Sequence, residues 1–178
     1  MFQKMLQGGS GGEPPFNGMI YELGNIEENL VYQPPNTDVF QFDGTTVYTA
    51  LYYGNDTSNG VLYFGDNNTS TYGYGGYTTE EYFDLSKFKT LKITIAELTS
   101  SASSNKNEVL GIALIDEQGT KKELLYLANP KGYTGLKNFD ISQTIEQNKK
   151  YRLCFGLCVG DSSSNTGVCK ISKIWFSK

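Results

Sequence analysis

The sequence predicts an all-β fold: an antiparallel two-sheet β-sandwich of jelly-roll or Greek-key type, preceded by a short extended N-terminal arm. Three observations point there. The 178 residues include 13 Tyr, 10 Phe and 20 Gly, with frequent Thr, Asn and Ser, a mixture that favours pleated strands and tight turns. Apolar residues recur at every second position: in "KTLKITIAEL", Leu91, Ile93 and Ile95 share one side and Lys92 and Thr94 the other, as in a half-buried strand. No segment carries a sustained helical period; single helical turns over Thr79–Phe83 and Ile141–Asn148 are the exceptions expected.

Taken in order, residues 1–15 are a unit of their own. "MFQKMLQ" is a short amphipathic peptide, "GGSGG" a flexible tether and Pro14-Pro15 a stiff end. Phe2, Met5 and Leu6 are then candidate docking residues. Residues 16–35 form a connecting segment, with "MIYEL" and "NLVYQ" as short strands, packed on the main domain or on a neighbour. The sandwich itself is expected over 36–178. "DVFQF" and "TTVYTALYY" lead to a turn containing Asn59-Gly60, and "VLYFG" returns from it. A tyrosine-rich loop follows. "VLGIALI" is apolar on both sides, as a central strand would be. Asp116–Gly119 turns the chain into "KKELLYLA", and "LKNFDIS" is a further strand. Lys149–Val159 and Val168–Phe176 close the domain, giving eight to ten strands in two packed sheets.

The charge and the missing residue types exclude several functions. The net charge is −4, and Arg152 is the only arginine, so neither nucleic acid nor an anionic membrane is an expected partner. With no histidine, His-based nucleophile systems and the commonest zinc ligand are absent. No run approaches the ~20 apolar residues of a membrane span, and the N-terminus lacks a secretory core. Cys154, Cys158 and Cys169 make an odd number and no CxxC pair. They read as buried thiols of a protein made in a reducing cytosol, or as a Cys158–Cys169 contact across a hairpin.

Chemistry by carboxylates alone stays open, since glycoside hydrolysis needs only two. Glu80, Glu81, Asp84 and Glu97 are the candidates, but the alternating E-x-D-x-E strand pattern of sandwich glycosidases does not occur. "GDNNTS" and "GDSSSNTG" hold oxygen ligands in glycine-flanked loops, with one carboxylate each, Asp66 or Asp161. Asx-stabilised turns account for them. A calcium ion there would have to borrow ligands from distant loops, and no cofactor is expected.

The stretch "DNNTSTYGYGGYTTEEYF" carries the functional signal. Tyr72, Tyr74 and Tyr77 stand among Gly, Asn, Ser and Thr, the composition of evolved binding loops. The expected ligand site is Asp66, Asn67 and Asn68 for hydrogen bonds, with the three tyrosines stacking on a sugar. The same rings would equally cover the sandwich edge or a neighbouring subunit.

The short hydrophobic N-terminus, the "GGSGG" tether, "YFDLSKFKTLKITI" and the ending "VCKISKIWFSK" together resemble small virion proteins of phages and prophages of Gram-positive gut bacteria. The resemblance implies a tail, baseplate or head-surface protein made in the host bacterial cytoplasm. It implies a homo-oligomer bearing a carbohydrate-binding jelly roll, joined to other virion proteins through residues 1–15. Three functions are carried forward: binding of a host-surface glycan, a structural decoration or connector role, and glycan hydrolysis.

Overall fold

The computed structural model describes residues 16–32, 52–66, 73–100, 107–160 and 166–178. Thirteen strands run through them, with no helix among the described residues. They are β1 (Met19–Glu22), β2 (Asn25–Ile26), β3 (Leu30–Tyr32), β4 (Tyr52–Asp56), β5 (Val61–Asp66), β6 (Gly73–Thr79) and β7 (Phe83–Asp84). There follow β8 (Thr90–Ser100), β9 (Asn107–Asp116), β10 (Lys121–Ala128), β11 (Gly135–Asp140), β12 (Lys150–Gly160) and β13 (Gly167–Ser177).

They build two antiparallel sheets. The first runs β11–β8–β13, and β5 and β1 then share the far edge of β13, with β4 and β2 outside them. The second runs β10–β9–β12–β6–β3, and β7 continues the line of β6 along β12. Thr79 bridges that junction: its buried hydroxyl accepts the Leu153 N–H and donates to the Glu81 carbonyl.

The core lies between the sheets because the long strands alternate, strictly along the inward side of β12 and with a register shift around Ile171 in β13. Tyr151, Leu153, Phe155, Leu157 and Val159 of β12 face Leu91, Ile93 and Ile95 of β8 and Cys169, Ile171, Ile174 and Phe176 of β13. Phe64, Tyr77 and Phe155 bring their rings to 5.4–6.2 Å from one another. At one end Phe16 stacks on Phe83 at 4.2 Å and meets Phe88 and Phe176. Residues 16–32, expected to pack on the domain, thus supply strands to both sheets and an aromatic plug to the core.

The all-β sandwich expected from the sequence is the fold observed. Several local expectations change. Residues 73–79 form a strand rather than a loop. Its glycines are required sterically: a Cβ on Gly75 would lie 2.3 Å from the Gly65 nitrogen of the facing sheet. The last two strands lie in opposite sheets rather than in one hairpin. Cys169 faces the core while Cys158 faces away from it, and all three thiols are free and buried. The segment 141–148 makes one hydrogen-bonded turn, Ile145 N–H to Ile141 O at 3.0 Å, and goes no further. At Thr79–Phe83 the chain passes between strands instead of forming a helical turn. "DVFQF" and most of "TTVYTALYY" lie outside the described residues.

Phe155 is fully buried at the centre of this packing. Phe155→Ala should lower unfolding stability by about 3–5 kcal/mol, read as a lower urea midpoint with an unchanged slope; a change below about 1 kcal/mol would place the core elsewhere.

Candidate functional site

The outer face of the second sheet is where small and large residues are sorted most sharply. Side chains that alternate out of the core on its central strands are Val109, Ala113 and Ile115 from β9 and Cys154 and Cys158 from β12, joined by Tyr74 of β6. Strand register aligns Gly76, Gly156 and Gly111 in one row across β6, β12 and β9, and Tyr126 of β10 ends that row. Three neighbouring strands thus lack a side chain at the same level.

Tyr74 uses part of that space. A Cβ on Gly156 would lie 2.4 Å from the Tyr74 hydroxyl and one on Gly76 2.6 Å from it. The ring therefore lies down along the sheet and is 2% exposed. Tyr126, at the other end of the row, is 49% exposed. Partial burial raises its hydroxyl above the ordinary phenol range, with Cys158 and Glu123 adding to the effect.

One row beyond, Thr78 and Cys154 are 3.0 Å apart, oxygen to sulfur. Burial pushes the Cys154 thiol up to about 11, against the opposing effects of its Thr78 contact and the Arg152 charge. Arg152 holds its guanidinium 5.5 Å from the Tyr82 ring centre, and its Nε is buried without a hydrogen-bond partner. Lys121 and Glu123 pair at 3.6 Å on β10. From Arg152 to the glycine row is four residues along β12, roughly 13 Å at strand rise.

The residues expected to bind are distributed differently. Tyr77 is 5% exposed and packs between the sheets against Phe64 and Phe155. Burial is the main reason its hydroxyl lies far above the ordinary phenol range. Asp66 is fully buried on the inner side of β5. Tyr74 and Tyr77 sit on opposite faces of one strand, so they form no joint stacking surface, and neither ring stands in solvent. The reason is β6 itself: an alternating strand separates residues three apart onto opposite sides. Asn67, Asn68, Tyr72, Phe2, Met5 and Leu6 lie outside the described residues.

The carboxylates considered for hydrolysis have structural roles or stand in solvent. Glu97 binds Lys170 at 2.6 Å. Asp84 accepts the Ser86 N–H at 2.9 Å, and hydrogen bonding to Ser86 holds its carboxyl below the usual range. Glu80 and Glu81 are exposed. Among the described residues no group of three or more His, Cys, Asp or Glu is placed to hold a metal ion.

The outer face of the first sheet is the second aromatic surface, but its rings already have partners. Trp175 lies between Lys92 and Lys173, whose ammonium groups are 5.9 and 4.9 Å from its ring centre. Tyr63 packs on Tyr52 at 4.8 Å. Sequence reasoning passed over Tyr126 and Arg152 because nothing local marks them. The row that joins Tyr126 to three glycines appears only once strands β10, β9, β12 and β6 are in register.

No known family matches the chain, and no curated protein matches it. Among solved structures it has a distant resemblance to the enzymatically active domain of tailspike protein 4 of bacteriophage CBA120, at a TM-score of 0.42 and 16% identity over 91% of this chain. It spans about a fifth of that protein's chain, 21%. A CBM4 structure is similar at a TM-score of 0.36 and 17% identity, over 68% of this chain and 89% of that one. Among the described residues no helix is long and apolar enough to cross a membrane.

The buried thiols give a direct check of this geometry. Ellman's reagent should leave Cys154, Cys158 and Cys169 unmodified in the native protein and titrate all three in guanidinium. Rapid native reaction of any one would mean that its sheet face is open.

Proposed function

We propose that the chain is a non-enzymatic binding module of a virion surface, anchored by residues 1–15, that takes a host glycan at the β10 edge of its second sheet, on the Tyr126 ring. The observation that carries the glycan reading is the half-exposed Tyr126 ring at the end of the glycine row. The row itself is buried, two of its places lying under the Tyr74 ring, so Tyr126 is the surface offered, and an amphipathic ring suits the C–H face of a sugar. Arg152, half-buried against the Tyr82 ring, is a guanidinium on the same sheet face. Placement on a virion is supported by the resemblance of the arm, tether and strand sequences to small phage proteins. Weak single-site binding would be multiplied by copy number in an oligomer.

Full-length protein on a glycan array should bind oligosaccharides above background. Tyr126→Ala should weaken that binding by about tenfold or more while leaving the melting temperature within about 2 °C of wild type. An array without signal, or wild-type binding by the variant, refutes the site. For the arm, deleting residues 1–15 should abolish incorporation into particles; a truncated protein that still assembles normally would remove its docking role.

A further inference from the structure

One end of the sandwich holds two carboxylates where an interior normally holds none. Asp66, Gly167 and Ser100 lie side by side on β5, β13 and β8. All three continue the inward-facing positions of their strands, which carry Phe64, Cys169 and Leu98 two residues away. From the opposite sheet, Glu108 of β9 continues the inward series of Leu110, Ile112 and Leu114. The four residues therefore converge between the sheets. Asp66 is 0% exposed and Glu108 2%.

Glu108 is held in place but only half satisfied. Its Oε2 accepts the Ser100 hydroxyl at 2.5 Å, whereas its Oε1 is buried with no hydrogen-bond partner. That bare oxygen sits over Gly167: a Cβ there would lie 2.8 Å from Oε1. The missing side chain makes room for the Glu108 carboxylate at the middle of the row, between the positions of Asp66 and Ser100. No lysine or arginine among the described residues forms an ion pair with Glu108, though the Lys131 charge favours its ionised form. A buried carboxylate oxygen without a partner is costly.

We propose that Glu108 and Asp66, with the Ser100 hydroxyl, form a binding site for a calcium-sized divalent cation that ties the two sheets together at this end. Calcium takes six to eight oxygens in irregular geometry and favours carboxylates. The remaining places go to backbone carbonyls and water. The smaller magnesium ion demands a tight octahedron and retains its water, which suits a gap set by two fixed sheets less well. The role is structural: the ion would be a cross-link between β9 and β5, which come from different sheets and are distant in sequence.

The test is thermal unfolding of the full-length protein, stripped with EDTA, dialysed, and remeasured with about 5 mM calcium or magnesium chloride. Calcium should raise the melting temperature by about 5–10 °C, and magnesium should leave it near the stripped value. Glu108→Gln keeps the shape and can still accept from Ser100, so the stripped variant should be at least as stable as stripped wild type. Its calcium response should fall to about 1 °C or less. Asp66→Asn should also lose most of the response. Equal melting temperatures of wild type with and without calcium, an equal response to magnesium, or a full calcium response in Glu108→Gln would each overturn the proposal.

Discussion

The fold depends on one strand having two incompatible faces. β12 is the centre of the second sheet, between β9 and β6, and its inward residues are Tyr151, Leu153, Phe155, Leu157 and Val159. Each meets the interior fully or almost fully buried. Its outward residues include Cys154, Gly156 and Cys158, all small. A slip of one residue in register would put Gly and Cys into the core and five large side chains on the surface. That cost fixes the pairing with both neighbours, and through them the alignment of the whole second sheet. Apolar burial at roughly 25 cal/mol per Å² supplies the driving force.

The small outward residues have a consequence on the other side of the sheet. Where β12 and its neighbours carry glycine, a tyrosine can lie flat against the backbone instead of standing away from it. Tyr74 does so over Gly76 and Gly156. The first sheet repeats the device: a Cβ on Gly54 would lie 2.4 Å from the Tyr63 hydroxyl. A chain rich in tyrosine and glycine thus covers its sheets with rings at little conformational cost, since a Tyr has only two side-chain torsions to fix. Tyr74, one of the three tyrosines expected to bind a sugar, is used in this way.

Charge is handled differently at the surface and in the interior. On the outer face of the first sheet Lys170 pairs with Glu97 and Lys173 with Glu22, directly across neighbouring strands. Such partly exposed pairs contribute little stability, but they leave that face polar and discourage stacking of one copy on another. Asp116 sits at the β9–β10 turn, where its carboxylate accepts the Gln118 and Thr120 N–H groups and binds Lys149 at 3.0 Å. It is fully buried yet has a partner at each oxygen. Glu108, at the opposite end of the same strand, has the same degree of burial without that set of partners. The contrast is what makes its end of the sandwich distinctive.

By itself the sequence determined the fold class and most strand positions, because both depend on local alternation. Leu91, Ile93 and Ile95 announce one face of β8 without reference to any other residue. It also determined that histidine chemistry is unavailable. It misjudged residues 73–79, since a glycine-rich run has no apolar alternation to read and becomes a strand only because β12 lies beside it and β5 presses on it. The two sides of β6, the separation of Cys158 from Cys169, the glycine row leading to Tyr126 and the seating of Glu108 over Gly167 against Ser100 were decided by tertiary structure alone. Each joins residues from strands far apart in the chain, and the distance between them is set by sheet register and sheet packing, which no single segment encodes.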